Sequence, residues 1–257
     1  MEGARAQVVS LIRQSRSPTL WHAGKTFQCA LMALRRTRWR AQRKRRIQRY
    51  LDSHEVRKLE LGTGQLAIEG WLNTDIDPRL RCAGPPVLFL DARRPFPFQD
   101  STFDYIASEH VIEHVPYDDA CFMLGECARV LRSGGRIRIA TPDLAKLLSL
   151  YRDQGDLSSE QTAHLVWMAN EVLQDASRAT AVFDLNTAMR EWGHQFLFDE
   201  ETLRGILVEA GFGEIQRFGV GDSEDPVLIG RERHGEIANN EVVNRFETMC
   251  LEAVKVE

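Results

Sequence analysis

Nothing in this 257-residue sequence approaches the run of about 18 uninterrupted apolar residues that a membrane span needs. The N-terminus also lacks the apolar stretch of a secretory signal, so a cytoplasmic protein without an integral membrane segment is expected. Cysteine is scarce. Cys29, Cys82, Cys121, Cys127 and Cys250 are odd in number, scattered and without a CxxC pair, which argues against both a disulfide framework and a zinc site. No metal-ligand set is read from the sequence, and no internal repeat is evident. What is present, 43% hydrophobic and 27% charged residues, is the composition of a globular chain long enough for one α/β domain with additions.

The formal net charge of −4 hides an uneven distribution. Arg35, Arg36, Arg38, Arg40, Arg43, Lys44, Arg45 and Arg46 place eight cations within twelve residues of an otherwise acidic chain. Such a run reads as an appended arm that meets an anionic partner (a membrane surface, which would make the protein peripheral to it, a nucleic acid, or the protein's own acidic face) or as a solvated helix face. Phe27, Leu31 and Leu34 recur at helical spacing just ahead of it. We therefore divide the chain into a basic helical N-terminal arm (1–55) and a domain over 56–257. Within the domain lie an α/β core (56–142), a helical insertion (143–195) and a return to the core (196–257).

From residue 57 the pattern changes to short apolar runs that end in Gly, Asp or another polar residue. Lys58–Leu61, Trp71–Ile76, Val87–Asp91 and Phe103–Ser108 read as strands. Ala120, Leu124, Cys127, Ala128 and Leu131 then form the stripe of a helix packed on a sheet. Ser133-Gly134-Gly135 ends it, and Arg136–Ala140 alternates like a fifth strand. Ser158 with Gln161 forms a capping-box pattern, Asp199 caps a helix that Gly211 stops, and Thr248–Val254 reads as a closing strand. Strands alternating with helices imply a mostly parallel, doubly wound sheet whose ligands sit at the C-terminal strand ends.

Those ends carry the chemistry. The first strand runs into Glu60-Leu61-Gly62-Thr63-Gly64, where glycines permit a tight turn and a close backbone approach to a ligand. Gly62, Gly64 and Ala67 also fit a dinucleotide fingerprint, which keeps a nicotinamide enzyme in view. In that fingerprint, however, the ribose-binding carboxylate follows a full helix about 20 residues on, and Asp75 comes much sooner. A ligand without phosphate suits so short a turn, and S-adenosylmethionine is one. Glu60 could hold its ammonium group and the glycine amides its carboxylate. Asp75, or its neighbour Asp77, could accept the ribose hydroxyls, and Asp91 the adenine amino group, with Ser108 beside the methionine moiety.

Glu60–Gly64, Asn73-Thr74-Asp75-Ile76-Asp77-Pro78, Ser108-Glu109-His110-Val111-Ile112-Glu113-His114 and Ala128–Arg136 resemble the class I S-adenosylmethionine-dependent methyltransferases. Trp192-Gly193-His194 ahead of Asp199–Leu203, with Glu209-Ala210-Gly211-Phe212, is similar to small bacterial members often associated with glycan and secondary-metabolite pathways. The resemblance spans roughly residues 57–142 and 190–215, and Leu66 stands where many relatives carry a third glycine. It implies a Rossmann-like seven-stranded sheet with a helical lid insertion, and S-adenosyl-L-methionine as cofactor. Glu60, Leu61, Gly62, Thr63, Gly64, Asp75, Ile76, Asp91, Ala92 and Ser108 would lie at the cofactor, and Ser108 to His110 at the transfer site.

Transfer to a hydroxyl also requires removal of a proton, a task for which histidine is suited. His110 is the first candidate base and His194 a second, with Glu109 or Glu113 orienting a histidine or binding substrate. Trp167, Phe183, Trp192, Phe196, Asn186 and Arg190 are lid candidates for acceptor contact. The expected function is O-methylation of a sugar or small-molecule hydroxyl. The alternatives are a nucleic-acid methyltransferase that uses Arg35–Arg46 on phosphates, although no Asn-Pro-Pro-aromatic motif is present, and a non-catalytic scaffold. Oligomeric state is not legible.

Overall fold

The computed structural model describes residues 43–77 and 84–257. Phe27, Leu31, Leu34, most of the basic run and Pro78 lie outside them. Seven strands form one sheet: β1 (Lys58–Leu61), β2 (Leu72–Asp75), β3 (Leu88–Phe89), β4 (Phe103–Glu109), β5 (Leu131–Pro142), β6 (Phe212–Phe218) and β7 (Thr248–Lys255). Their order is β3-β2-β1-β4-β5-β7-β6, with β7 antiparallel to both of its neighbours and the other pairs parallel. The order reverses between β1 and β4, so the chain leaves these strands in opposite directions and a crevice opens at their C-terminal ends. The doubly wound, mostly parallel sheet expected from the sequence is the sheet observed.

Successive side chains on a strand point to opposite faces, and here the two faces differ in kind. Leu59, Leu61, Leu72, Ile106, Ile137, Ile139, Met249, Leu251 and Ala253 share one apolar core. It is closed by α2 (Tyr117–Val130) and α6 (Glu200–Glu209), and by Ile47 and Tyr50 of a helix over residues 43–53, α1. The Tyr50 hydroxyl donates to the carbonyl of Lys58 and accepts from its amide, at 2.9 and 2.8 Å, so the end of the arm docks beside the start of β1. Along α2, Ala120, Leu124, Cys127 and Ala128 are buried as the stripe predicts. Leu131 already belongs to β5, so the helix ends three residues earlier than the glycines suggest.

The insertion forms α3 (Leu144–Arg152), α4 (Ser159–Trp167), a π turn (Met168–Val172) and α5 (Ala181–Arg190). Asp143 caps α3, and the expected capping box of Ser158 and Gln161 opens α4. Leu147, Leu150, Leu165, Ala181 and Ala188 pack with Phe246 in a separate cluster. Asp199 caps α6 by accepting from the amide of Thr202. Among the described residues no helix is long and apolar enough to cross a membrane.

Two strands are shorter than expected: Trp71–Ile76 contracts to β2 and Val87–Asp91 to β3, an edge strand paired on one side only. The sixth strand was not anticipated. It is the opposite edge, with Glu214, Gln216 and Arg217 among its residues and a register shift between Gly213 and Gln216, so it lacks an apolar alternation. Two short helices, α7 (His234–Ala238) and α8 (Glu241–Glu247), were also unread and lead into β7.

Candidate functional site

The turn after β1 is built for close approach. Gly62 and Gly64 adopt φ of +69° and +56°, a region L side chains rarely occupy. A Cβ at Gly62 would also run into Val111 Cγ2. Asp75, at the end of β2, accepts from the amides of Gly64 (3.1 Å) and Asp77 (2.7 Å), which pins the turn against the next strand end. Burial raises its carboxyl, partly offset by these amides. Asp91 is gripped by Arg93 through Nε and Nη2 at 3.0 and 3.2 Å. Burial alone would raise this carboxyl, but the Arg93 contacts outweigh it and hold it below the usual range.

A cavity of about 410 Å³ opens between these strand ends. Leu61, Gly62, Gly64, Asp75, Ile76, Asp91 and Ala92 line it, together with Leu90, Arg93, His110, Val111, His114 and Val115. Seven of the ten residues expected at a cofactor therefore meet on one wall. Asp77 is not part of that lining. The other three expected residues are placed differently. Thr63 donates to Asn73 Oδ1 at 3.0 Å and so fastens the turn from within. Glu60 lies on the opposite face of β1 and pairs with Arg231 at 2.6 Å, with that guanidinium 4.0 Å from the Trp71 ring centre. Burial raises the Glu60 carboxyl and Arg231 opposes the rise. Ser108 is buried, and its hydroxyl has no hydrogen-bond partner among the described residues.

A second cavity, about 360 Å³, lies under the insertion. His110 and His114 line both cavities, and the second is completed by His194, His234, Glu247, Trp167, Trp192 and lid aliphatics such as Leu147 and Val172. His110, at φ +50°, is held at Nδ1 by Glu113 at 3.0 Å. The Glu113 carboxylate, fully buried, also accepts from Thr141 at 3.0 Å. Burial pulls the His110 ring down, but Glu113 outweighs that and raises it to about 9, so His110 is a cation at neutral pH. His194 is its opposite: burial lowers it, and its Nδ1 lies 2.6 Å from the Ala188 carbonyl, which leaves Nε2 as the acceptor. His234 stacks on His110 with ring centres 4.1 Å apart, and burial with that neighbouring charge lowers it to about 4. Glu109 turns away from both cavities, its carboxylate accepting from the amides of Arg233 and His234.

Arg93, His234 and Glu247 were not singled out from the sequence. Arg93 could have been noticed two residues after Asp91, whereas His234 and Glu247 carry no motif and reach the site through the C-terminal helices. Among the lid aromatics, Trp167 and Trp192 reach the second cavity, while Phe196 packs against the main core and Phe183 against Arg178.

A family profile described as a methyltransferase domain matches residues 66–139, from the turn after β1 into β5. No curated protein matches the sequence. Among solved structures, an S-adenosylmethionine-dependent methyltransferase from Thermotoga maritima is 16% identical with a TM-score of 0.44, over 80% of this chain and 87% of that one. One from Archaeoglobus fulgidus is 18% identical with a TM-score of 0.44, over 86% and 94%. Haemonchus contortus phosphoethanolamine N-methyltransferase 2 is 16% identical with a TM-score of 0.43, over 79% of this chain and 49% of its own. The profile match begins after the glycine turn and takes in β2, β3, β4 and most of β5, whose ends bring Asp75, Asp91 and His110 to the first cavity. Residues 66–139 match a methyltransferase domain, for which the methyl donor expected from the sequence is S-adenosylmethionine. The cavity's residues fit that cofactor: a turn with no room for a Cβ at Gly62, a carboxylate at the end of each of two strands, and the orphaned Ser108 hydroxyl nearby.

Proposed function

We propose that this enzyme transfers a methyl group to a hydroxyl oxygen of a sugar or small-molecule acceptor bound in the cavity under the lid. The observation that carries the reading is that the two cavities meet at His110 and His114, so a cofactor in one and an acceptor in the other would face each other across these rings. Asp75 would receive the ribose hydroxyls and Asp91 the adenine amino group, with Gly62, Gly64, Leu61, Ile76 and Ala92 forming the walls. Glu60 would act on the cofactor only indirectly, through the strand end it braces with Arg231. S-adenosylmethionine, when bound, supplies an electrophilic methyl carbon whose bonding pair returns to sulfur as S-adenosylhomocysteine leaves.

The protein's tasks are then to position the acceptor, exclude water and take up the hydroxyl proton. His194 is better prepared for the last task than His110. It is neutral with Nε2 unoccupied, while His110, kept cationic by Glu113, donates and orients. Trp167 and Trp192 give the acceptor apolar faces to lie against, as sugar rings require. In this reading residues 56–257 are the catalytic domain, and the arm (1–55) joins it through α1.

The test is methylation of a panel of sugars and small hydroxylated metabolites by the full chain, followed by the mass of the product. His194→Gln should lower kcat by about 10²-fold, within the range for loss of a general base, and leave cofactor affinity unchanged. Methyl transfer only to amines, or full activity in His194→Gln, would contradict the proposal.

A further inference from the structure

We propose that His110, His234 and Glu247 form a binding site for a divalent transition-metal ion in the wall of the acceptor cavity. One ligand atom from each lies within 4.8 Å of the other two, and all three residues line that cavity. Bonds of about 2.0–2.2 Å to a shared ion would draw them together by roughly an ångström.

Two further observations point to a ligand. Glu247 is 9% exposed, and among the described residues its carboxylate accepts no hydrogen bond: the nearest ring nitrogens are His234 Nε2 and His164 Nδ1, each at 3.8 Å. A largely buried carboxylate with imidazole nitrogens near it but beyond hydrogen-bond distance has an open position that a shared cation would fill. His110 is moreover held as a metal-ligating histidine usually is, with one ring nitrogen on a carboxylate and the other turned outward. Here Glu113 takes Nδ1, while Nε2, whose proton would be released to solvent as an ion binds, has among the described residues only Thr248 Oγ1, at 3.4 Å. His234 is fixed from behind as well, since Glu109 binds its amide at 2.8 Å.

Glu113, His114 and His194 also come within ligand reach of one another. There, however, both Glu113 oxygens are already committed, one to His110 and the other to Thr141. In the first cluster the carboxylate is the uncommitted one.

Two imidazoles and one carboxylate suit zinc, iron or manganese, and three protein ligands leave positions open for an oxygen from the cavity. The ion's task, gripping the acceptor hydroxyl and easing its deprotonation, rests on the O-methyl-transfer reading. The binding itself does not.

The experiment uses the full chain, freed of any affinity tag and treated with chelator. It is titrated with Co²⁺ by visible absorption and with Zn²⁺ by calorimetry, with S-adenosylmethionine affinity measured in parallel as a check of the fold. One ion per chain should bind at micromolar concentration or tighter. Glu247→Gln and His234→Asn should each weaken it at least tenfold, and Glu113→Gln about tenfold, as a supporting residue does. His114→Gln should leave it within twofold. The absence of stoichiometric binding would overturn the site. So would binding that His114→Gln abolishes and Glu247→Gln spares. Stoichiometric, Glu247-dependent binding without methylation of any hydroxyl would establish the site while removing the O-methylation reading.

Discussion

The two faces of the sheet are held by different forces, although the same strands supply both. On one, Leu59, Leu61, Ile106, Ile137, Ile139 and Leu251 meet α1, α2 and α6 in an unbroken apolar core. On the other, the returning segment between β6 and β7 meets charges. Arg138, 1% exposed, is bound by Glu232 and Glu252 and by the carbonyls of Gly219 and Asp222, Arg231 pairs with Glu60, and Asp225 receives Tyr105. Apolar burial is non-directional and tolerates rearrangement of its partners. A buried charge set does not, because losing one member leaves the others uncompensated. The apolar face thus gives the sheet its stability, while the charged face fixes where residues 219–238 lie, including His234 at the acceptor cavity.

The sharpest break of this comparison is Arg138→Met. It strands Glu232 and Glu252, and unfolding in urea should show a loss of about 3–5 kcal/mol. Adding Glu232→Gln and Glu252→Leu should recover most of it, since a buried ionic set can be replaced by packed apolar groups at little net cost. A triple variant as unstable as the single one would show that Arg138 acts by shape and not by charge.

Arg231→Met should cost about 3 kcal/mol at pH 9 by the same mechanism. Its cost should depend on pH in a definite direction. Burial raises the Glu60 carboxyl from 4.5 to about 8 with Arg231 in place, and without Arg231 it rises further. An acid whose folded value is raised favours folding when protonated, so both proteins lose stability in parallel as pH climbs from 4.5 towards 8, and the deficit widens only above that, being smaller at pH 7 than at pH 9. A deficit that is constant with pH would place its origin in lost stacking on Trp71 instead. Ile139→Val, on the apolar face, should cost about 1 kcal/mol at either pH, within the range for deleting one buried methyl group.

The apolar face was largely legible in the sequence, the charged face hardly at all. Leu59 with Leu61, and Ile137 with Ile139, announce strands by alternation, and the stripe from Ala120 to Ala128 announces α2. The first cavity was legible too, because Gly62, Gly64, Asp75 and Asp91 lie at strand ends close together in the chain. The partners of Glu60 and Arg138 were not. Arg231 stands 171 positions from Glu60 and Glu232 stands 94 from Arg138, and nothing local marks either. The second cavity failed for the same reason: His110 and His194 could be proposed singly, but their protonation depends on Glu113 and Ala188, which only the fold brings to them.

The most direct test of the central claim is calorimetric titration of S-adenosylmethionine into the purified chain and into Asp75→Ala, with NAD as a control. Charge-assisted hydrogen bonds contribute about 1.5–3 kcal/mol each. We therefore expect micromolar binding to the native protein, at least tenfold weaker binding to Asp75→Ala, and none of NAD. Equal affinity in the two proteins would remove Asp75 from the cofactor site. The absence of binding to the native chain would contradict the assignment of the first cavity altogether.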